Sequence, residues 1–239
     1  MSDSVINLTK IRFAYPGGRL VLNDLDFHLH AGDRIGLVAP NGSGKTTLFH
    51  ILMGLIQPLS GTIEVFGKAR REEKDFLEVR RRVGLLFQDA DDQLFSPTVL
   101  EDVAFGPLNL GKSRDEAVSV AIRTLEFLGL GGFEDRVTHK LSGGEKRLVA
   151  LATVLSMEPE VLLLDEPSSG LDVDTKARLI EILDSLDLTI FLISHEFDFI
   201  SKAARHVYTM QDGRISMDQE VHVHTHDHAH LLGKYPHRH

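Results

Sequence analysis

A glycine-rich loop between a short apolar strand and a helix constrains the fold of this chain more than any other feature. The loop reads Ala39-Pro40-Asn41-Gly42-Ser43-Gly44-Lys45-Thr46-Thr47, after a predicted strand at 34–38 and before a predicted helix at 46–53. Backbone N–H groups of such a loop and the start of the helix favour a bound phosphate. A glycine turn without a ligand is the alternative, but the Lys45-Thr46 pair at the expected offset favours the phosphate site. Ala39 replaces the usual first glycine, so that position is expected to need no positive φ.

The order of the remaining elements indicates an α/β protein. Apolar and polar residues alternate over 5–15 and 20–30, with a turn at Pro16-Gly17-Gly18 between them, which is typical of an antiparallel hairpin. Buried strands and helices alternate later, which predicts a parallel sheet covered on both faces. The predicted later strands are 161–164 and 189–194, and the predicted helices are 75–82, 113–128, 146–155 and 175–186, with a mostly helical insert over 88–141.

Composition excludes several classes of protein. The chain has 239 residues, of which 42% are hydrophobic, and no cysteine, so disulfides and thiolate metal sites are ruled out. The first residues have no secretory-signal pattern, and no run reaches the roughly 20 apolar residues of a membrane helix. A net charge of −9 argues against nucleic acid as a partner. The arginines at 70–71 and 80–82 are interleaved with acidic residues, which predicts a solvated mixed-charge helix.

Two further motifs follow the glycine loop in a fixed order. Leu141-Ser142-Gly143-Gly144-Glu145 precedes a helical pattern, and about twenty residues later an apolar strand ends in Asp165-Glu166. The three motifs together resemble the ATP-binding-cassette (ABC) ATPases over about residues 6–215. The resemblance implies a nucleotide-binding domain at 1–221 with a RecA-like parallel-sheet core, an antiparallel β-subdomain and a helical subdomain at about 89–145. Residues 222–239 are then a separate histidine-rich tail.

The resemblance implies an ATP site that uses Mg²⁺. Lys45 is expected to reach the β- and γ-phosphates, and Thr46 to ligate Mg²⁺. Asp165 ends a buried strand, where coordination of Mg²⁺ through water would compensate its burial, although a cap on the turn at Pro167 is the alternative. Tyr15 matches the aromatic residue that stacks on adenine, although a core position is the alternative. The predicted nucleotide contacts in the chain's own site are Tyr15, Asn41, Gly42, Ser43, Gly44, Lys45, Thr46 and Thr47.

Three residues match the catalytic positions of the family. Glu166 corresponds to the carboxylate that polarises the attacking water, and His195 to the switch histidine that contacts the γ-phosphate. Gln88 corresponds to the glutamine that senses the metal and couples the site to a partner. Without the resemblance, a histidine placed after a strand would be interpreted as an ordinary surface residue.

The segment Ser142, Gly143 and Gly144 offers a second anion site at the start of a helix. In the family this segment contacts the ATP held by another copy, so the resemblance implies a head-to-tail dimer with Asp172 along its interface. Both halves of the composite site look complete in this chain, which favours a homodimer over a heterodimer.

A local motif narrows the resemblance to transport. The run Asp91-Asp92-Gln93-Leu94-Phe95 is similar to the ATPases of energy-coupling-factor importers. The resemblance implies an integral membrane scaffold, substrate-binding subunits and a location at the cytoplasmic face of the cell membrane. Vitamin importers share this motif, so the motif leaves the substrate open.

The tail supplies the clue to the substrate. Alternation places histidines on one face of an extended chain, and neutral imidazole suits Zn, Cu and Ni. The alternatives are a purification tag and a neutral solvated tail, and alternation is unlike an uninterrupted tag. We therefore expect a cobalt or nickel importer, with a vitamin importer as the alternative and a soluble ABC protein of DNA repair or translation as a remote one. The predicted tail ligands are His222, His224, His226, His228 and His230.

Overall fold

The computed structural model describes residues 4–40 and 42–217. An antiparallel sheet forms first, because β1 (Ser4–Ala14) and β2 (Leu20–His30) alternate buried and exposed side chains and pair as a hairpin. This confirms the predicted hairpin. Two later strands, β4 (Ser60–Val65) and β5 (Lys68–Ala69), extend the sheet to the order β2-β1-β4-β5.

A second sheet of six strands carries the glycine loop. Its order is β10-β9-β3-β8-β7-β6, and the five strands from β9 to β6 are parallel. Only the edge strand β10 runs against its neighbour, so the predicted parallel sheet is mixed at that edge. The carboxyl ends of the parallel strands lie at one edge of the sheet, where the loops that follow them meet. The strands are β3 (Arg34–Val38), β6 (Val83–Leu86), β7 (Val161–Asp165), β8 (Thr189–Ser194), β9 (His206–Gln211) and β10 (Arg214–Met217).

The six-stranded sheet has a hydrophobic core on each face. Leu162 and Leu164 of β7 pack among the helices, whereas Val161 and Leu163 face the antiparallel sheet. Phe191 of β8 stacks on Phe27 of β2 with ring centroids 4.5 Å apart, which joins the two sheets. Every residue of β7 and β8 is buried, as expected for strands covered on both sides.

Seven α-helices cover the sheets in the described part of the chain. Four of them begin with a capping box, in which the side chain before the helix accepts from a backbone N–H group of the first turn. The capping residues are Glu72, Thr98, Ser113 and Ser142. The helices are α1 (Lys45–Leu52), α2 (Glu73–Arg82), α3 (Val99–Asn109), α4 (Arg114–Phe127), α5 (Gly143–Leu155), α6 (Val173–Ser185) and α7 (Phe197–Ala203).

The segment predicted as a helical insert is helical. It contains α3 and α4, which pack on each other and on α5, and the hydroxyl of Ser156 donates to the carbonyl of Val103 at 2.8 Å. Helix α5 begins three residues earlier than predicted because Ser142 caps it, and α6 begins two residues earlier because Asp172 does so. The domain limits 1–221 and 89–145 stay predictions.

The predicted mixed-charge helix is only partly correct. Helix α2 has an exposed charged face, but Arg70 lies before the helix and is buried, with its guanidinium donating to the carbonyls of Val65 and Asp75. The sequence pattern does not predict the strands β4, β5, β6, β9 and β10 or the helix α7. Among the described residues, no helix has the length and apolar character needed to cross a membrane.

Candidate active site at the carboxyl edge of the sheet

The glycine loop leaves β3 and turns directly into α1. Gly44 caps α1 with a φ of 99°, and a Cβ there would lie 2.6 Å from Cγ1 of Val21, so this position requires glycine. Ala39 is buried and has no positive φ, as expected from its replacement of the usual glycine. Asn41, a predicted contact, lies outside the described residues.

Thr46 and Asp165 meet where α1 faces the end of β7. The Thr46 hydroxyl donates to Oδ2 of Asp165 at 2.7 Å. Oδ1 of Asp165 and the hydroxyl of Ser43 are buried without a hydrogen-bond partner among the described residues. Burial raises the pKa of Asp165, against the opposing effects of the Thr46 hydrogen bond and the Lys45 charge. Unsatisfied oxygens beside a phosphate loop fit residues that hold Mg²⁺ and a phosphate group.

Glu166 follows Asp165 with a left-handed backbone, at a φ of 49°. Its side chain is buried, and it accepts from the ammonium of Lys45. Its other oxygen lies 2.8 Å from Nδ1 of His195 and accepts from the His195 backbone N–H at 3.3 Å. Burial opposes ionisation of Glu166, but the hydrogen bonds from Lys45 and His195 outweigh burial and lower its pKa. The carboxylate is therefore held charged between the phosphate loop and β8.

Tyr15 lies beside the same loop. Its hydroxyl is 3.1 Å from the hydroxyl of Thr47, and its ring stays 49% exposed, with an edge-to-face contact to Phe13 at 4.9 Å. The core alternative for Tyr15 is therefore wrong. An exposed ring fixed next to a phosphate loop can stack on a flat base.

Gln88 follows β6 and is exposed. The structure fixes its backbone through Arg147 of α5, whose guanidinium donates to the carbonyls of Phe87 at 2.7 Å and Gln88 at 2.5 Å. The amide of Gln93 also holds this segment, accepting from the N–H of Phe87 and donating to the carbonyl of Ala150. The sequence pattern does not single out Arg147, because its burial becomes visible only in the folded structure.

The Ser142–Gly144 segment, written 142–144 below, lies apart from the chain's own glycine loop. Ser142 caps α5 in a capping box with Glu145, and Glu145 forms an ion pair with Arg136 at 2.9 Å. A Cβ on Gly143 would meet nothing within 4 Å, so its backbone is open to a ligand. The backbone N–H and the hydroxyl of Ser142 form their hydrogen bonds with Glu145 of the same helix start. Asp172 caps the neighbouring helix α6 by accepting from Thr175 at 2.8 Å.

An apolar groove lies on the other side of the Gln88 segment. It has a volume of about 280 Å³ and includes Phe87, Phe95 and Phe105 in its lining. Phe95 is 66% and Phe105 45% exposed, and their rings pack edge to face at 4.8 Å. Exposed aromatic pairs of this kind are typical of protein contact surfaces.

The predicted tail ligands from His222 to His230 lie outside the described residues. Among the residues that the structure describes, no group of three or more His, Cys, Asp or Glu side chains could hold a metal ion.

Comparison with known proteins agrees with this geometry. Residues 22–169 match the family model described as ABC transporter. A protein of Nitratidesulfovibrio vulgaris, named as an ABC transporter ATP-binding protein, is 51% identical over 240 residues, with 99% of this chain and 88% of that protein covered. The energy-coupling factor transporter ATP-binding protein EcfA of Methanothermobacter thermautotrophicus is 41% identical, with 88% of this chain and 69% of that protein covered.

A solved structure resembles the whole fold. The cbiO1 protein of Clostridium perfringens, described as part of the ABC transporter complex cbiONQ, superposes with a TM-score of 0.81 at 33% identity, covering 90% of this chain and 88% of that one. The chain belongs to the ABC transporter family. It is an ATPase subunit close to the EcfA and CbiO proteins, and ATPases of this family dimerise and associate with membrane components.

Proposed function

We propose that this chain hydrolyses ATP to energise the import of a transition metal, cobalt or nickel, through an energy-coupling-factor ABC transporter. ATP hydrolysis is inferred from one observation, that five side chains lie together at one edge of the sheet. They are Lys45, Thr46, Asp165, Glu166 and His195. These residues come from three separate segments. Together they supply a cation for phosphate, oxygens for Mg²⁺ and a charged carboxylate for water.

Each of these side chains has a role in the proposed reaction. Lys45 binds the β- and γ-phosphates, while Thr46, Asp165 and Gln88 hold Mg²⁺, which neutralises charge that develops on the phosphate oxygens. Glu166 accepts a hydrogen bond from the attacking water and orients it toward the γ-phosphorus. His195, which lies against Glu166, keeps that carboxylate in place and reaches the γ-phosphate.

The second half of each site comes from another copy of the chain. The backbone of Gly143 is open at the start of α5, next to the Ser142 side chain, and we assign residues 142–144 to the γ-phosphate of the partner's ATP. Asp172 then lies along the interface of a head-to-tail homodimer. The apolar groove beside Phe95 and Phe105 accepts a helix of the membrane scaffold, and substrate-binding membrane subunits complete the importer.

The metal substrate is supported by the tail. Five alternating histidines after residue 221 suit Ni²⁺ and Co²⁺. A vitamin importer is the second candidate, because the Asp91–Phe95 motif and the similarity to EcfA fit it equally well. A soluble ABC protein of DNA repair or translation is disfavoured by the net charge of −9.

Co-purification tests the assignment. The tagged chain is isolated from membranes with its partners, and the complex is examined by mass spectrometry and elemental analysis. Nickel or cobalt bound to the membrane subunits supports the proposal, whereas a bound vitamin favours the second candidate. A complex that contains no membrane protein refutes the transport role.

A further inference from the structure

Arg147 connects two parts of the site that serve different nucleotides. It lies on α5, five residues after Ser142, and is 6% exposed. Its two terminal nitrogens donate to consecutive backbone carbonyls, those of Phe87 and Gln88. One side chain therefore joins the helix that begins with residues 142–144 to the segment that carries Gln88.

The charge of Arg147 faces the catalytic edge. No carboxylate in the described part of the chain lies within ion-pair distance of its guanidinium. Burial lowers the pKa of Arg147, and the more distant carboxylates of Asp89, Asp165 and Glu166 oppose that effect. Two carbonyls therefore hold the guanidinium, and the three carboxylates attract it electrostatically. A change of charge at the catalytic edge changes the force on Arg147.

We propose that Arg147 is a positioning residue that links the two composite ATP sites of the dimer. Gln88 serves the ATP bound by its own chain, whereas residues 142–144 serve the ATP bound by the partner. Because Arg147 holds both in one chain, nucleotide at one site sets the position of the signature segment at the other. This inference rests on the proposed composite site.

The neighbouring contacts explain why an arginine is needed. A guanidinium is a planar fork that donates to two acceptors at once, whereas an ammonium is a single point of charge. Gln93 fixes the same segment to α5 at Ala150 and Thr153, so the segment and the helix form one unit. The adjacent Lys146 instead forms an ion pair at 2.5 Å with Asp91, whose side chain is exposed.

Mixed dimers separate the two roles of Arg147. A Lys45→Ala chain cannot bind its own ATP, and a Gly143→Asp chain cannot contact its partner's γ-phosphate. Neither variant hydrolyses ATP as a homodimer, but a mixed dimer contains one intact composite site. In that site, Gln88 comes from the Gly143→Asp chain and residues 142–144 come from the Lys45→Ala chain. Arg147→Met is then placed in either chain, and phosphate release is measured on mixed dimers isolated through two different tags.

The expected result is a loss of turnover in both arrangements, by at least the fivefold that marks the lower limit of typical coupling, roughly 5- to 150-fold. A loss confined to the chain that supplies Gln88 means that Arg147 only anchors that residue, and the link between sites is refuted. A loss confined to the other chain means that it only supports α5, which refutes the link equally. A mixture without activity before Arg147 is changed contradicts the composite site instead.

Two further variants test whether the loss of turnover reflects only a defect in folding. Lys146→Met removes the neighbouring exposed ion pair and is expected to leave turnover within twofold in both arrangements. Arg147→Lys keeps the charge but cannot span both carbonyls, and we expect it to recover less than half of the lost activity. Full recovery by lysine contradicts the two-carbonyl mechanism. The folding of each variant is checked by its melting temperature without nucleotide.

Discussion

Replacing Asp165 by asparagine should stabilise the protein without nucleotide, although it removes a residue of the proposed active site. Asp165 is 2% exposed, and its Oδ1 has no partner among the described residues. An unsatisfied buried polar group costs about 1–3 kcal/mol, and more when it is charged. Asparagine still accepts from Thr46 through its oxygen and removes the charge, so we expect a gain of about 1–2 kcal/mol.

This gain should be visible as a change in melting temperature. For a domain of this size, 1 kcal/mol corresponds to about 2–4 °C, so the variant should melt roughly 2–8 °C higher at pH 7 in EDTA. With Mg²⁺ and ATP the order should reverse, because ligand binding stabilises only the protein that binds. Differential scanning fluorimetry in both buffers measures the two effects.

The pH dependence of the gain follows from the raised pKa of Asp165. A carboxyl whose folded pKa lies above its unfolded value of 3.8 is favourable while protonated, and that contribution is lost as pH rises through the folded pKa. Wild type and variant should therefore converge at low pH and separate as pH increases above 3.8. An unchanged or lower melting temperature of the variant at pH 7 in EDTA would refute the reasoning.

Asp102 provides a matched control for this prediction. It is equally buried and also has one oxygen without a partner among the described residues. Its other oxygen accepts from the backbone N–H groups of Phe95 and Ser96 at 3.2 and 2.9 Å. Because charge strengthens both hydrogen bonds, Asp102→Asn should lower the melting temperature or leave it unchanged. A rise comparable to that of Asp165→Asn would mean that any buried charge, and not the metal-binding position, explains the effect.

Four other changes test ATP turnover, ATP binding, stability and metal binding separately. Glu166→Gln should bind ATP but stop turnover and accumulate as an ATP-bound dimer, so a monomer on gel filtration with saturating ATP contradicts it. Lys45→Ala should weaken ATP binding in calorimetry, and unchanged affinity would exclude its phosphate contact. Gly44→Ala should cost about 1–2 kcal/mol from backbone strain alone, measured by urea unfolding. Removing residues 222–239 should abolish most Ni²⁺ or Co²⁺ binding by the isolated subunit and leave its basal ATPase activity unchanged. Metal binding by the intact chain should weaken as pH falls through about 6.5, where imidazole becomes protonated. Full metal binding after truncation would remove the main support for a metal substrate.

The sequence predicts the parts of this molecule that local patterns encode. The glycine loop, the hairpin of β1 and β2 and the buried strands at 161–164 and 189–194 follow from spacing and from apolar periodicity. The structure brings Lys45 and Glu166 together from positions 121 residues apart, as the resemblance implied. Their roles in hydrolysis stay predictions until variants are measured.

Other features depend on contacts that no local pattern reveals. The left-handed backbone of Glu166 arises where the chain leaves β7 toward Ser168, and nothing in an apolar strand indicates it. Arg147 is one basic residue among several after the signature segment, and only tertiary packing shows which of them is buried. The short strands β9 and β10 lack clear alternation, so their place at the edge of the sheet comes from the pairing of β9 with β3 and of β10 with β9.

Strand β7 also determines where this chain can change in length. Its successive residues belong to opposite cores, so deleting one residue before Asp165 would send every preceding side chain to the wrong face. The deletion would also move Asp165 and Glu166 about 3.3 Å along the strand, away from Lys45 and Thr46 of α1. The turn at Gly111, between α3 and α4, is exposed and lies outside both sheets. Fluorescent reporters or affinity peptides therefore belong at Gly111, where an added segment leaves the register of the sheet untouched.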